Sequence, residues 1–298
     1  MIECVPNFSE GRDAAKVRAI VDAIASVPGV LLLGFESDQD HNRSVVTFAG
    51  EIDAVVEGAI RGAGKAAELI DLNRHEGVHP RVGAADVIPF VPLNIGNNAA
   101  TMDDCIAAAN RCGEEIWRRF GIPVYFYESA ARRENRRPLQ NVRRREFDGA
   151  PPDIGGIASH PTAGASVVGA RGFLIAYNVQ LATTDPEIAR AVARKIRESS
   201  GGFRFVKAMG LYLRSRDCAQ VSMNLTNFAE TPLDQVYNAI AAEAARLGTS
   251  IQSSQLVGFV PRRAFDMAPA FFERAQNFDQ QRVIETRIAT IEASAGQY

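Results

Sequence analysis

Two histidines and a glutamate fall within five residues, His75-Glu76-Gly77-Val78-His79, and match the H-E-x-x-H pattern of zinc proteases. That pattern binds zinc because histidines four positions apart share one face of a helix. Here Gly77 interrupts the segment and Pro80 follows it, and a proline pushes the residue before it out of the helical conformation. We therefore expect a loop and no metal, with a zinc hydrolase kept as the alternative.

The segment from Arg74 to Gly83 is nevertheless where we expect chemistry. It gathers two histidines, a glutamate and two arginines between a predicted helix and a predicted strand. Loops held by a rigid scaffold often present functional groups, and histidine is the most frequent general acid–base because it titrates near neutral pH. A purely structural, hydrogen-bonded role for each histidine is the competing interpretation.

The composition indicates an ordinary globular protein. With 298 residues, the chain is long enough for two domains of about 150 residues each. The formal net charge of −2 gives no reason to expect a nucleic acid or a membrane as partner. The apolar runs are too short to span a bilayer and the N-terminus does not resemble a signal peptide, so we expect a cytoplasmic protein. Its four cysteines are scattered and form no CxxC pair, which predicts reduced, packed thiols.

Hydrophobic periodicity predicts the same element order twice. Residues 1–92 follow the order strand, helix, strand, strand, helix, strand, and residues 172–258 repeat it. This is the split βαβ, or ferredoxin-like, arrangement. We therefore predict an α/β (α+β) protein with two ferredoxin-like βαββαβ lobes, each a mixed or antiparallel sheet covered by helices. A further helix and strand follow the first copy, and two helices follow the second.

The predicted elements and lobe boundary can be stated by residue number. Strands are predicted at 1–5, 30–37, 43–50, 85–92, 122–127, 172–180, 203–213, 217–225 and 250–258. Helices are predicted at 13–27, 52–71, 101–120, 186–199, 232–247 and twice after 262. A Pro/Gly-rich stretch separates the copies, and we divide the chain into lobes 1–168 and 169–298. Because ligands favour domain interfaces, a site between the lobes is expected.

Two further segments each have competing interpretations. Seven arginines lie from Arg132 to Arg145, and no aromatic residues are interleaved with them. This pattern is consistent with a solvated face, a carboxylate-binding surface or a subunit contact. The run from Gly155 to Gly164 consists mostly of small residues. It is either a linker or a segment whose backbone lies close against a flat ligand.

Several segments carry a family resemblance. Glu3–Gly11, Asp40–Phe48 and His75–Asp86 strongly resemble the formiminotransferase domain of glutamate formimidoyltransferase. Four more segments match in order: Pro123–Tyr127, Gly169–Asn178, Ala219–Leu225 and Ser254–Gly258. The resemblance extends over nearly all of residues 1–275.

The resemblance implies a function and a site. It implies a homodimer whose two lobes enclose a folate tunnel, and transfer of the formimino group of N-formimino-L-glutamate to N5 of tetrahydrofolate, in histidine degradation. The catalytic histidine of the family falls on His79, in the N-terminal lobe, and no metal or redox cofactor is required. The folate-binding loop falls on Gly155, Gly156, Ile157, Ala158, Ser159, His160, Pro161, Thr162, Ala163 and Gly164.

Other residues are assigned by charge and by position within the motifs. Both substrates carry glutamate carboxylates, so Arg43, Arg81 and Arg171 are predicted anion-binding residues. Asn7 and Asp38 are further predicted substrate-binding residues, and Asp38 or Glu10 is the predicted partner that orients His79.

Several alternatives remain for the reaction and its partners. The same scaffold could use formylglutamate, formiminoglycine or 5-formyltetrahydrofolate, or it could be a non-catalytic folate-binding module. The cyclodeaminase that is fused to this domain in animals is expected to be a separate protein here.

Overall fold

The computed structural model describes residues 1–95, 99–145 and 151–295. The chain divides into two compact units, Met1–Arg171 and Gly172–Tyr298. Both units contain helices packed on a β-sheet, which confirms the predicted fold class. Over the described residues, no helix is both long and apolar enough to cross a lipid bilayer.

The first unit contains a mixed sheet. Its strands are β1 (Ile2–Cys4), β2 (Asn7–Phe8), β3 (Val30–Asp38), β4 (Arg43–Gly50), β5 (Ala85–Pro92), β6 (Val124–Glu128) and β7 (Ser166–Ala170). Its helices are α1 (Ala14–Ala25), α2 (Ile52–Leu69), α3 (Met102–Phe120) and α4 (Leu139–Arg145). Among the described residues, the seven strands form one sheet.

The central strand of this sheet is broken into β1 and β2. Both segments pair antiparallel with β4 on one side and β5 on the other. The break falls at Val5-Pro6, because a proline has no N–H to donate to a strand ladder. With β3 beside β4, the antiparallel part of the sheet has the ferredoxin-like order. Strands β7 and β6 extend it with parallel pairs beyond β5.

The second unit repeats this arrangement without the extension. It contains β8 (Ile175–Leu181), α5 (Pro186–Ile196), β9 (Val206–Leu213), β10 (Cys218–Leu225), α6 (Leu233–Arg246) and β11 (Ile251–Val257). These elements are followed by α7 (Arg262–Met267), α8 (Pro269–Glu273) and α9 (Ile284–Ala295). The sheet order β11-β8-β10-β9 is antiparallel throughout. The predicted doubled order is therefore confirmed.

Three local predictions were incomplete. Strand β7 and helix α4 were not predicted, and three helices rather than two follow β11 in the described residues. Helix α4 was not predicted because it has only seven residues and ends in three arginines, so its apolar period is reduced to Leu139 and Val142. Strand β7, Ser-Val-Val-Gly-Ala, is buried on both faces and therefore shows no alternation of apolar and polar residues.

Helices α1, α2 and α3 cover one face of the first sheet, and helix α4 covers the other. Alternate residues of β5, including Ile88 and Phe90, join the main core with α1, α2 and α3. On the other face, Val87 of β5 joins a smaller cluster with Tyr125, Val142 and their neighbours. That smaller cluster holds α4, and with it Arg143, on this face of the sheet.

Candidate functional site

The long connection from α2 to β5, residues 70–84, lies on the turn between β3 and β4. The backbone N–H of Val78 donates to the carbonyl of Asp40 at 3.1 Å. The Asn42 amide donates to the carbonyl of Glu76 at 2.9 Å, and Nε2 of His75 donates to the carbonyl of Asn42 at 2.9 Å. A Cβ on Gly77 would lie 2.4 Å from the carbonyl oxygen of His41, so only glycine permits this close approach.

The H-E-x-x-H segment is therefore a loop, as expected. A short 3-10 turn, Leu72–Arg74, ends before His75, and residues 75–80 form no helix. His75 points Nε2 at the β3–β4 turn, whereas the Nδ1 of His79 contacts the carbonyl of Pro80. The two imidazoles thus lack the shared helical face that the zinc motif requires.

The β3–β4 turn is itself a buried polar structure. Asp40, His41 and Asn42 are each less than a tenth exposed. Oδ1 of Asp38 accepts hydrogen bonds from the backbone N–H groups of Asp40 and His41, both at 2.9 Å. Asn42 adopts a φ of 46°, a left-handed conformation that asparagine tolerates better than most residues. Its Oδ1 accepts the N–H of Gly11 at 3.0 Å, which joins the turn to the start of α1.

Among the described residues, Nδ1 of His79 has a hydrogen-bond partner and Nε2 has none. Its Nδ1 lies 2.7 Å from the carbonyl oxygen of Pro80. A carbonyl only accepts, so Nδ1 carries the hydrogen, and in the neutral ring Nε2 keeps its lone pair. The ring of His41 lies beside it, with 5.9 Å between the ring centroids and a tilt of 32°. The arrangement presents Nε2 as a proton acceptor.

Close to this histidine, a buried carboxylate holds two arginines. Oδ2 of Asp86 accepts from Arg43 at 2.5 Å and from Arg143 at 2.9 Å. Its Oδ1 accepts the backbone N–H of Val82 at 2.6 Å. Arg43 also donates from Nε to Oδ1 of Asn7 at 2.9 Å. Two guanidinium groups thus face one carboxylate, which leaves this cluster with one net positive charge.

The charges of this cluster set the protonation state of the site. Burial disfavours the ionised form of Asp86, but Arg43 and Arg143 outweigh it and hold the carboxyl pKa well below its usual range. Burial lowers the pKa of Arg43, although Asp86 opposes that shift. Burial is also the main reason that the pKa of His79 lies well below its ordinary value; Arg43 and Arg143 add to the shift, and Asp86 opposes it. His79 is therefore a neutral base at physiological pH.

The two carboxylates that were predicted to orient His79 are engaged elsewhere. Asp38 caps the backbone of the β3–β4 turn. Oε1 of Glu10 accepts the N–H groups of Arg12 and Asp13, both at 2.9 Å, and so caps the approach to α1. Their role toward His79 stays a prediction, since the contact that fixes Nδ1 comes from Pro80.

The predicted anion-binding arginines lie in three different environments. Arg43 belongs to the Asp86 cluster. Arg81 donates to the carbonyls of Leu72 and His75 at 3.2 and 3.0 Å and so braces the loop that carries His79. Arg171 hydrogen-bonds the hydroxyl of Tyr127, and burial raises the pKa of that tyrosine to about 12 although Arg171 opposes the shift.

Part of the predicted folate loop is fastened to the histidine loop. His160 and Gly164 exchange backbone hydrogen bonds of 2.8 and 3.1 Å. Nδ1 of His160 accepts the N–H groups of Thr162 and Ala163 at 3.3 and 3.0 Å. The carbonyls of Thr162 and Ala163 in turn accept the N–H groups of Leu72 and Ala84. This turn therefore anchors both ends of the segment that contains His79.

The other half of the predicted folate loop is open. Residues 155–159 are exposed, and the apolar side chain of Ile157 is 80% exposed. Gly155 adopts a φ of 100° and packs closely on the Trp117 ring. A Cβ on Gly156 would meet nothing within 4 Å, so its backbone is accessible from the side.

The arginine run is not one solvated face. Arg136 is 4% exposed, forms a 2.8 Å ion pair with Asp153 and lies over the ring of Tyr125. Arg143 reaches Asp86, whereas Arg137 is exposed and pairs only with nearby Glu134 at 3.6 Å in the described contacts. The run thus combines structural, site and surface arginines, and the side chains of Arg144 and Arg145 lie outside the described residues.

Three members of the site were not predicted from the sequence: His41, Asp86 and Arg143. A signal existed for Asp86, because it is an acidic residue at the start of an otherwise apolar predicted strand. A buried charge is expensive unless it is paired, which identifies Asp86 as a residue that needs partners. Those partners lie 43 and 57 positions away along the chain, beyond the reach of any local pattern.

Comparison with known proteins identifies the family. A model described as the formiminotransferase domain, N-terminal subdomain, matches residues 1–171, and a model described as the formiminotransferase domain matches residues 176–293. The chain is 42% identical to a glutamate formimidoyltransferase of Thermoplasma acidophilum over 299 residues, covering 97% of each chain. It is 39% identical to the Streptococcus pyogenes serotype M1 protein of the same name, covering 95% of this chain and 97% of the relative.

A longer relative matches over part of its length. The chain is 43% identical to the formimidoyltransferase-cyclodeaminase of Gallus gallus over 91% of this chain and 52% of that protein. The two family models together extend across both units, and the range of the first contains the histidine loop and the β3–β4 turn. The chain belongs to the formiminotransferase family, and it is a transferase.

Proposed function

We propose that this chain transfers the formimino group from N-formimino-L-glutamate to N5 of tetrahydrofolate, giving 5-formiminotetrahydrofolate and glutamate. The observation that carries the proposal is the environment of His79. Its ring is held by Pro80, its Nε2 has no hydrogen-bond partner within the described part of the chain, and its pKa is lowered by burial and by two arginines. The names of relatives that match over nearly the whole chain support the substrate and the reaction class.

In this proposal, His79 acts as the general acid–base. The attacking nitrogen of the acceptor must lose a proton, and the departing glutamate nitrogen must gain one. Nε2 of a neutral His79 accepts the first proton and returns it in the second step, so one imidazole serves both transfers. The hydrogen bond to Pro80 fixes the ring orientation throughout, because Nδ1 keeps its hydrogen in both states.

Binding of the two substrates is assigned to the surrounding loops. The open backbone of residues 155–159 and the exposed side chain of Ile157 suit a flat, partly apolar ring system such as a pterin. Carboxylates of the glutamate portions are assigned to Arg43, Arg81 and Arg171, since guanidinium groups bind carboxylates through paired hydrogen bonds. Asn7 holds Arg43 in place for this task.

The same proposal covers the partners. We assign the active form to a homodimer in the cytoplasm, which uses tetrahydrofolate as co-substrate and no metal. A cyclodeaminase acts on the product, and the names of the longer relatives, which include both activities, support this order.

The test is a donor panel with purified protein. N-formimino-L-glutamate, formylglutamate and formiminoglycine are each supplied with tetrahydrofolate, 5-formyltetrahydrofolate is supplied with glutamate as the acceptor, and the folate product is identified by mass. The proposal predicts turnover with N-formimino-L-glutamate, unchanged by a chelator. Turnover confined to another donor contradicts the substrate assignment. Folate binding without any turnover indicates a binding module, and inhibition by chelator indicates a metal enzyme.

A further inference from the structure

The hydrogen bond between His79 and Pro80 is local to the histidine loop. Nδ1 of His79 donates to the carbonyl of the residue that follows it in the chain. That hydrogen bond orients the ring relative to the loop, but it moves with the loop and does not fix the ring relative to the sheet. The residues on either side, Val78 and Pro80, are both exposed. The side chains next to His79 in sequence therefore do not hold it against the first unit.

The β3–β4 turn supplies contacts from a different part of the chain. The Asp40 carbonyl accepts the N–H of Val78 at 3.1 Å. A Cβ on Gly77 would lie 2.4 Å from the carbonyl oxygen of His41. The centroids of the His41 and His79 rings are 5.9 Å apart, and their planes are tilted by 32°. This separation is within the range of paired aromatic rings. His41 therefore meets the loop twice, with its backbone at Gly77 and with its side chain at His79.

The turn that carries the His41 ring is itself firmly held. His41 is 9% exposed, and its backbone N–H donates to Oδ1 of Asp38 at 2.9 Å. The side chain of Asn42, the next residue, accepts from the N–H of Gly11 at 3.0 Å. The same side chain donates to the carbonyl of Glu76 at 2.9 Å. A reactive group is held most precisely by residues that are locked by their own packing and hydrogen bonds. His41 meets this condition.

We propose that His41 is a positioning residue for the general base: its ring packs against the imidazole of His79 and keeps that imidazole in one orientation relative to the sheet. This proposal deepens the proposed function and rests on it for the reaction that the orientation serves. The packing of the two rings exists in the free protein, before any substrate binds. Asp38 acts at one remove, because it fixes the turn that carries His41.

The experiment separates the ring of His41 from its nitrogen atoms. In the full chain, His41→Phe keeps a ring without nitrogen, His41→Gln keeps a polar side chain without a ring, and His41→Ala removes both. The order parameter of the His79 ring is measured by NMR relaxation on the free protein with isotope-labelled histidine. The chain has four histidines, and His79→Gln assigns the relevant signal. Values of kcat and KM for formimino transfer are measured in parallel.

In His41→Ala and His41→Gln we expect the order parameter of the His79 ring to fall below about 0.6, the range of flexible groups. The kcat then falls about 10- to 100-fold, because a displacement near 1 Å is enough to misalign a catalytic group. The KM for tetrahydrofolate stays the same, since the loop assigned to the pterin is unaltered. His41→Phe retains the ordered ring and most of kcat.

Tyr212→Ala is the matched control. It removes an aromatic ring beside the β9–β10 turn, where the Tyr212 hydroxyl donates to Asp217. Both the order parameter of the His79 ring and kcat should be those of the unsubstituted protein. The fold of each variant is checked by the fluorescence of the single tryptophan, Trp117. Should His41→Ala fail to fold, His41→Phe and His41→Gln decide the proposal.

The proposal is overturned if the His79 ring stays ordered in folded His41→Ala, or if the ring loses order without any loss of kcat. It is also overturned if His41→Gln retains kcat and His41→Phe loses it, because the nitrogen atoms would then matter rather than the ring. Loss of ring order in His41→Ala, when even the unsubstituted protein transfers no formimino group, supports the packing and contradicts the proposed function. The two failures are distinguishable because the NMR measurement needs no turnover.

Discussion

The two units share one element order but differ at the same end of the sheet. In the first unit, the connection from the second helix to the last strand of the repeat runs from residue 70 to residue 84 and carries His79. In the second unit, the corresponding connection is only 247–250. The short connection closes the fold, whereas the long one has enough chain to lie across the neighbouring turn and present side chains.

The hairpin turns at this end differ in the same way. The turn between β3 and β4 is buried because the long loop covers it, and its Asp40, His41 and Asn42 are all hidden from solvent. The turn between β9 and β10, residues 214–217, is exposed, and Asp217 there accepts from the Tyr212 hydroxyl. The polar residues of the first turn are thus buried beside the candidate site, whereas those of the second turn lie at the surface.

The two units share a fold and differ in the connections at one end of the sheet. The fold therefore provides a place for functional side chains, and the connections decide which side chains lie there. Both sheets have a corresponding end, but in the described ranges the first unit alone combines a long loop, a buried turn and a paired carboxylate there. Function in such a fold depends on the connections, which tolerate change in length more readily than the strands do.

The largest effect is expected from removing the charge of Asp86. Asp86→Asn leaves Arg43 and Arg143 buried without a counter-charge, which costs about 3–5 kcal/mol in the free energy of unfolding of the first unit. Urea denaturation followed by Trp117 fluorescence measures this, since the only tryptophan lies in that unit. A loss below about 1 kcal/mol contradicts the buried cluster.

A second effect concerns the contact between the long loop and the turn. Gly77→Ala places a Cβ where the carbonyl of His41 now lies, so the loop must move and carry His79 with it. We expect kcat to fall about 10- to 100-fold, because a displacement near 1 Å is enough to misalign a catalytic group. Gly172→Ala is the matched control, since its Cβ would meet nothing within 4 Å. Equal activity of the two variants means that the loop does not depend on this contact.

Much of the fold is predictable from the sequence, and the site only partly. The strands and helices of both repeats follow from periodicity, whereas the role of His79 is implied by the family resemblance and stays a prediction. His41, Asp86 and Arg143 were not predicted as site residues, because their importance depends on contacts between β4, β5, α4 and the turns. Those contacts join residues far apart in sequence, so they become visible only when the sheet is assembled.

A smaller effect is a pH dependence of stability that comes from the histidine loop. The pKa of His79 is lowered in the folded chain, so the unfolded chain binds this proton more readily. Stability attributable to His79 is therefore constant above about pH 7 and decreases as pH falls below about 6.5, down to the lowered pKa. Against His79→Gln, the unsubstituted protein should lose at most about 1.4 kcal/mol per pH unit in that range. Parallel pH curves for the two proteins mean that the imidazole is not held neutral.

The smallest effect is expected at the exposed turn of the second unit. Arg214→Ala should leave kcat unchanged. It should change the free energy of unfolding by no more than about 0.5 kcal/mol, as is usual for exposed positions. A marked loss of transfer activity in this variant contradicts the difference drawn between the two turns, because the second turn would then take part in the reaction.

The central claim is that His79, and not its neighbour in the same motif, moves the proton. The direct measurement is kcat for formimino transfer in His79→Ala and His75→Ala, with folate binding measured on each protein. A proton transfer through His79 predicts a loss of about 100- to 10,000-fold in His79→Ala with folate binding retained, and a clearly milder loss in His75→Ala. Unchanged turnover in His79→Ala, or equal losses in the two variants, contradicts it.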